Sequence, residues 1–177
     1  YAQREVMERL TTCCFTGHRP PQLTANCPYD ELYSRIEKAV ADAAADGYTD
    51  FLCGGCIGGD FMFADAVLNM RDSLGIRLHL CLPCRDQADR WSRTDRDRYS
   101  DYLQLADSVV CLNDRYVNGC MQQRNRYMVD RSSLLIAAFN GTPGGTDYTL
   151  RYAKKLGLRT VNLLEIQDEE SDQLSFL

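Results

Sequence analysis

The stretch FLCGGCIGGDF, residues 51–61, joins a short apolar run to a helical pattern through four glycines. The run at 50–53 is typical of a buried strand, and the apolar spacing after Asp60 is typical of an amphipathic helix capped by that aspartate. Between a strand and a helix, glycines let backbone N–H groups approach an anion, which the helix dipole favours. The stretch lacks the G-x-G-x-x-G fingerprint and the Gly-Lys-Ser/Thr of a P-loop, so it predicts a phosphate or ribose site of unspecified class.

Similar apolar runs recur along the chain and alternate with helical patterns. They are continuously apolar, which is typical of parallel strands covered on both faces. We predict strands at 12–16, 50–53, 77–82, 108–112, 134–139 and 159–163, and helices from Asp30 to Gly47, from Asp60 to Gly75, within 95–106, within 120–132 and from Thr146 to Gly157. The alternation predicts an α/β fold with an open, mainly parallel sheet and helices on both faces. One domain should span 1–177, with peripheral ends at 1–10 and 165–177.

Two further loops follow predicted strands and carry unusual residues. In TGHRP, residues 16–20, Gly17 permits a tight turn, while His18 and Arg19 project from the sheet edge. Arg19 can pair with a phosphate in bidentate fashion, or these side chains can make structural hydrogen bonds instead. GTPGGT, residues 141–146, is a second glycine-rich turn before a helix that Thr146 can cap. Because ligands bind at the carboxyl ends of parallel strands, we expect the three loops to converge on one cleft.

Composition narrows the classes of protein. The 177 residues are 45% hydrophobic and carry a formal net charge of -5, which disfavours non-specific binding of nucleic acid. There is no run of 18 apolar residues, so we expect no membrane span, and the first residues lack the apolar centre of a signal peptide. Several of the nine cysteines lie in apolar runs, and we interpret all of them as reduced thiols in a cytoplasm.

The cysteines also form two CxxC pairs, Cys53 with Cys56 and Cys81 with Cys84. Four thiolates at neighbouring strand ends would suit zinc, and a single pair could be redox-active. However, Cys53 and Cys81 fall inside predicted strands, and a full helix separates the two pairs. We therefore favour core or loop filling over zinc or a redox pair and expect no metal.

TGHRP, GGCIGGD and RNRYMVDRSSLLIAAFNGTPGGT, in this order, resemble the YpsA-like family of the SLOG superfamily, which includes the DNA-processing protein DprA and the LOG-type proteins. The resemblance runs from about residue 11 to about residue 164. It implies a Rossmann-like fold whose glycine loops bind nucleotides or nucleotide-derived ligands. The residues that it places at the site are Gly17, His18 and Arg19, then Gly54, Gly55, Gly58, Gly59 and Asp60, then Arg131, Gly144, Gly145 and Thr146, with Gln87 and Trp91 as a pocket cover.

One departure from the family bears on catalysis. LOG-type phosphoribohydrolases, which cleave the N-glycosidic bond of nucleoside monophosphates, pair an arginine with a glutamate in a PGGxGT-E pattern. Arg131 matches the arginine, but Leu150 stands where the first glutamate would be. Cleavage of this bond needs a carboxylate, so the departure argues against an efficient hydrolase. The catalytic candidates are Arg131, Asp60 and Asp147.

Three functions follow from this resemblance, in descending order of support. The first is a domain that binds a nucleotide or nucleotide-derived ligand, as a sensor does. The second is a phosphoribohydrolase-like enzyme that uses Asp60 or Asp147, and the third is DprA-like nucleic-acid binding. We expect no required cofactor, a small-molecule ligand such as a nucleotide, NAD or an ADP-ribose-like compound, and a cytoplasmic location; a homodimer is compatible with this interpretation.

We predict that the protein contains no structural zinc. Metal analysis of protein purified without a chelator should give far less than one equivalent, because the helix between the two CxxC pairs is unlike the short ribbons of zinc sites. One full equivalent that disappears in the Cys56→Ser variant would contradict this interpretation of the cysteines.

Overall fold

The fold is built on one six-stranded sheet, seen in a computed structural model that describes residues 8–166. Its strands are β1 (Thr12–Gly17), β2 (Asp50–Cys53), β3 (Arg77–Leu82), β4 (Ser108–Cys111), β5 (Leu134–Ala138) and β6 (Arg159–Asn162). They lie in the order β4-β3-β2-β1-β5-β6, and all five neighbouring pairs are parallel. The predicted α/β class and mainly parallel sheet are confirmed. The expected peripheral ends, 1–10 and 165–177, fall mostly outside the described residues.

Five helices connect the strands: α1 (Tyr29–Ala45), α2 (Gly59–Leu74), α3 (Arg93–Leu105), α4 (Cys120–Asp130) and α5 (Gly145–Lys155). A short 3-10 helix, Gln22–Thr24, precedes α1. Apolar side chains of α1, α2 and α3 pack into one buried cluster, and those of α4 and α5 pack into a second. The strands of a parallel sheet are apolar on both faces, so helices must cover both faces to exclude water. The two helix clusters provide this cover.

Three helix starts differ from the expected caps. Helix α1 follows Pro28, whereas Asp30 lies in its first turn. Helices α2 and α5 follow Gly58 and Gly144, so Asp60 and Thr146 lie inside the helices and do not cap them. The tight turns after β2 and β5 account for this, because Gly58 has a φ of 99°, a conformation that favours glycine.

The order of the strands fixes where a ligand can bind. The chain adds β2, β3 and β4 on one side of β1 and then returns to place β5 on the other side. This reversal opens a crevice between the loops after β1 and β5, at the carboxyl edge of the sheet. No helix among residues 8–166 is long and apolar enough to cross a membrane.

Candidate ligand-binding cleft

The three unusual loops meet at this crevice, as the sequence predicted. They surround a cavity of about 250 Å³ above β1. Its lining includes six of the residues singled out from the sequence, namely Gly17, His18, Arg19, Asp60, Gly145 and Thr146. It also includes Gln22, Cys56, Met121, Arg124, Asn125, Thr142 and Pro143, none of which was expected from the sequence to bind a ligand. That the six bind a ligand stays a prediction.

The first two loops are in direct backbone contact. The N–H of Gly59 donates to the carbonyl of His18 at 3.2 Å. A Cβ on Gly58 would lie 2.8 Å from Cδ of Pro20 and 2.9 Å from the carbonyl oxygen of His18. A Cβ on Gly59 would lie 3.2 Å from Cα of Gly17. These glycines therefore serve the close packing of the loops, and the N–H of Gly59 is engaged by the first loop. That this loop binds a phosphate stays a prediction.

A buried arginine lies at the bottom of the cleft and forms hydrogen bonds with the surrounding backbone. Arg124 of α4 is only 4% exposed. It donates to the carbonyl of Gly54 at 2.7 Å, to that of Cys81 at 3.3 Å and to Oδ1 of Asn125 at 2.8 Å. Gly54 has no side chain because a Cβ there would lie 2.1 Å from the guanidinium. The spacing offered a signal for Arg124, since it lies four residues from the buried Met128 on the same helix face.

Asp60 supplies the carboxylate of the cleft. It is 7% exposed, and its carboxylate accepts the N–H of Cys56 at 3.0 Å. Burial raises the pKa of Asp60 above its ordinary value, while the positive charges of Arg124 and Arg19 oppose that rise. The first turn of α2 thus already contains the protein's own carboxylate, which disfavours a phosphate there.

The N-terminus of α5 is open toward the cavity. Its first helical hydrogen bond runs from the N–H of Tyr148 to the carbonyl of Gly144 at 3.0 Å, so the N–H groups of the preceding residues have no partner within the helix. Gly145 and Thr146 line the cavity at this end. Nothing lies within 4 Å of a Cβ position on Gly145, so the approach is unobstructed. The third glycine loop, rather than the second, has the geometry of an anion site.

His18 ties the first loop to the third. Its Nε2 accepts the backbone N–H of Asn140 at 3.1 Å, and its ring lies 5.6 Å from that of Phe139. Burial lowers the pKa of His18 from its ordinary value. The side chain therefore acts as a neutral structural link at the cleft wall, which is the alternative that the sequence left open.

Arg131 does not belong to the cleft. It lies before β5, so it is at the amino edge of the sheet, where it borders another cavity with Asp50 and Arg77. Its guanidinium stacks 3.5 Å from the ring of Tyr127 and donates to the Tyr127 carbonyl at 3.1 Å. Arg131 is therefore too far from the cleft to bind a ligand there, contrary to the expectation, and Arg124, about two turns earlier along α4, is the arginine that lines the cleft.

Gln87 and Trp91 do not form a pocket cover. Gln87 supports the second loop from behind, where its amide donates to the carbonyl of Gly54 at 3.2 Å. Trp91 packs edge-on against Phe61 and Tyr99 at ring distances of 6.0 and 5.2 Å, beside the larger apolar cluster.

The other carboxylate candidate also lies away from the cavity wall. Asp147 is paired with Arg151 at 3.0 Å on α5. Leu150 is 5% exposed and packs into the apolar cluster between α5 and the sheet. Of the two aspartates named from the sequence, Asp60 is the one that lines the cleft.

One of the cysteines, Cys56, does more than fill space in the core or in a loop. Eight of the nine are buried, and all nine are free thiols. No group of three or more metal-ligating side chains occurs within residues 8–166. Cys56, however, lines the cleft, and its Sγ lies 3.6 Å from both Arg19 Nη2 and Arg124 Nη2. It therefore couples the second loop to both arginines.

A parallel α/β sheet with a polar cleft at its switch point defines a Rossmann-like domain. The model of the YspA SLOG family (YpsA) matches residues 13–168, and the chain belongs to that family. Relatives include a UPF0398 protein of Halalkalibacterium halodurans, 29% identical over 68% of this chain and 66% of that protein. Another is the uncharacterized SPbeta prophage-derived protein YoqJ of Bacillus subtilis, 29% identical over 71% of this chain and 80% of the relative.

Solved structures share the fold at low identity. DprA of Streptococcus pneumoniae superposes with a TM-score of 0.62 at 16% identity, over 96% of this chain and 55% of DprA. DprA of Helicobacter pylori, whose structure describes a single-stranded DNA binding mode, gives a TM-score of 0.63 at 15% identity, over 90% of this chain and 67% of that protein. This chain therefore corresponds to about half to two thirds of a DprA chain.

Replacing Gly58 with alanine should destabilise the protein by about 3 kcal/mol, because the new Cβ would combine backbone strain with overlap against the first loop. Urea denaturation measures the change. Gly145→Ala is the matched control, since its backbone is helical and its Cβ position is open; it should leave stability unchanged or raise it by up to about 1 kcal/mol. Equal stability of the two variants would contradict the described loop packing.

Acidification should destabilise the protein through His18. Its pKa is 6.5 when unperturbed and lower in the folded chain, so the unfolded state binds more protons between these two values. Stability supplied by neutral His18 is thus complete above 6.5 and is lost as the pH falls through the folded pKa. The difference in unfolding free energy between the natural chain and His18→Gln should shrink from about pH 7.5 to about pH 5. A difference that does not change with pH would refute this role.

Proposed function

We propose that the cleft binds a small phosphorylated ligand of the nucleotide type, with its phosphate at the N-terminus of α5. The observation that supports this most directly is the open first turn of α5, which adjoins the cavity at Gly145 and Thr146. Unpaired N–H groups and the positive end of a helix dipole favour a phosphate at such a position.

Arg19 provides the mobile positive charge of the proposed site. It is exposed, it lines the same cavity, and its guanidinium contacts only Sγ of Cys56 among the hydrogen-bond partners found in residues 8–166. Arg124, in contrast, is committed to backbone carbonyls. Arg19 therefore retains hydrogen-bond donors for a phosphate, while Arg124 adds a positive charge at the bottom of the cleft.

The size of the site supports a ligand that is longer than a phosphate. The cavity of about 250 Å³ is small for a complete nucleotide, but Met121 also borders an adjoining open groove of about 780 Å³. Tyr116, Arg126 and Tyr148 line that groove, with the Arg126 Nη1 donating to the Tyr148 hydroxyl at 2.9 Å. Aromatic faces beside polar side chains are suited to a nucleobase.

Binding of a small molecule is favoured here over binding of nucleic acid. The likeness to DprA extends to the fold, whereas the net charge of this chain is -5. A nucleic-acid interface depends mainly on neutralising phosphates with basic side chains. A small nucleotide needs only the cleft together with the adjoining groove.

Arg19→Ala should weaken the binding of AMP by about 1.5–3 kcal/mol, because a charge-assisted contact to phosphate is lost. Isothermal titration calorimetry measures the affinity, with adenosine as the ligand that lacks the phosphate. Arg131→Ala is the matched control and should leave the affinity unchanged, since Arg131 lies at the opposite edge of the sheet. Equal losses in both variants, or no binding of AMP or of other nucleotides, would refute the proposal.

A second candidate function, hydrolysis of the N-glycosidic bond, is favoured by one observation. Asp60 is a buried carboxylate in the cleft, and burial raises its pKa. A carboxylate in such a setting can stabilise positive charge on a ribose or exchange a proton with a reacting group. Asp60 also has structural duties, because it accepts the N–H of Cys56, and this favours binding as the first candidate.

We expect purified protein to release no adenine from AMP above the rate without protein. Chromatography of the reaction mixture measures free adenine. Turnover that falls about 10²–10³-fold in Asp60→Asn and persists in Asp147→Asn would replace the binding proposal with the hydrolase. Leu150→Glu is unsuited to this test, because it would place a carboxylate in the apolar cluster beneath α5.

A further inference from the structure

At the amino edge of the sheet, far from the cleft, three polar side chains form a continuous chain of hydrogen bonds. Nε2 of His79 lies 2.7 Å from Oδ1 of Asp50, and Nδ1 of His79 lies 2.6 Å from Oγ of Ser108. None of the three residues was expected from the sequence to have a function. Hydroxyl, imidazole and carboxylate in this order make up the arrangement that activates serine nucleophiles.

The sheet itself aligns these groups. Asp50, His79 and Ser108 come from the neighbouring parallel strands β2, β3 and β4. Asp50 pairs with Arg77, and His79 pairs with Ser108. Because residues two apart on a strand share a face, Arg77 and His79 point the same way, so all of these side chains lie on one side of the sheet.

Asp50 fixes the proton on the imidazole. Burial alone would raise the pKa of Asp50, but hydrogen bonds from His79, Arg77 and Thr49 hold it well below its ordinary range. Arg77 donates to the carboxylate twice, at 2.8 and 2.9 Å, and Thr49 donates at 2.9 Å. The carboxylate is therefore ionised and can only accept, so the ring must place an N–H on Nε2.

The tautomer determines the direction of the second hydrogen bond. In the tautomer that carries its only proton on Nε2, Nδ1 of His79 has a free lone pair and accepts. The Ser108 hydroxyl must then donate to Nδ1 at 2.6 Å. This places the base where it takes the proton as the oxygen attacks.

We propose that Ser108 is the nucleophile of an acyl-transfer site that accepts activated carboxylic esters, with His79 as the base and Asp50 as the positioning residue. Oγ of Ser108 forms a bond to the ester carbonyl carbon, and its proton moves to Nδ1 of His79. The bond from carbon to the leaving oxygen then breaks, and that oxygen takes the proton. Water hydrolyses the acyl-serine by the same sequence, which returns the proton to Ser108.

There is space for a substrate next to the base. His79 and Asp50 border a cavity of about 830 Å³, together with Asp107 and Arg131. Ser108 is exposed at the start of β4, which is the outer strand on that side of the sheet. Arg131, which the cleft does not use, thus lies at the border of this second site.

Mass spectrometry of the natural protein after treatment with an alkyl fluorophosphonate tests the proposal first. In that reaction an Oγ–P bond forms, fluoride leaves, and the proton passes through His79. The adduct should map to Ser108. An adduct at other residues only, or no adduct at all, would overturn the proposal, and this result does not depend on any variant folding.

Substitutions of Ser108 and His79 then test their roles as nucleophile and base. Release of p-nitrophenolate from p-nitrophenyl acetate should fall at least about 10²-fold in Ser108→Ala and in His79→Phe. Ser73→Ala is the matched control, since this serine is also exposed but bonds the Met70 carbonyl, and it should react like the natural chain. Circular dichroism verifies that each variant is folded. Unchanged release in folded Ser108→Ala would refute the assignment.

The tautomer is a separate readout for the positioning by Asp50. The chain has two histidines, so ¹⁵N NMR of the His18→Gln variant reports on His79 alone. The spectrum should show a protonated Nε2 and an unprotonated Nδ1. The opposite tautomer would mean that Ser108 accepts the bond instead of donating it, and would overturn the proposal.

Discussion

The contact between the Arg124 guanidinium and the carbonyl of Gly54 is the interaction on which the cleft depends. A buried cation is costly unless its donors are satisfied, and Arg124 meets this condition by bonding backbone oxygens at the ends of β2 and β3. The contact is short enough to exclude any side chain at position 54. Helix α4 and the second loop are therefore fixed with respect to each other, and the position of Asp60 follows from that.

The sequence was sufficient to predict the strands, the helices on both faces and the meeting of three loops. Continuous apolar runs and glycine-rich turns are local features of the sequence. In a parallel sheet, every loop that follows a strand lies at the carboxyl edge, so these features also predict where the loops are. The roles of individual glycines were not predictable in this way. Gly54 and Gly58 look like phosphate-binding residues in the sequence, yet what requires them is the approach of Arg124 and of the first loop, which only the tertiary structure reveals.

The positions of the two arginines also could not be predicted from the sequence. Arg131 was selected because it matches a motif, but it lies before β5 and so belongs to the opposite edge of the sheet. Arg124 is difficult to predict because a buried arginine is rare, although its spacing from Met128 is compatible with the buried face of α4. The hydrogen bonds among Asp50, His79 and Ser108 were likewise invisible, since the three residues are far apart in sequence and become neighbours only through strand register.

The packing of Leu150 has a consequence for the thermodynamics of ligand binding. Leu150 and Ala153 anchor α5 in the apolar core, so the first turn of this helix is held in place before any ligand arrives. An anion that binds there would not have to order a loose loop, and little conformational entropy would be lost from the protein on that side. The entropic cost would fall instead on Arg19, whose exposed side chain must give up its rotameric freedom. One wall of the cleft is thus rigid and the other adaptable, which suits a site that fixes the phosphate while tolerating variation in the remainder of the ligand.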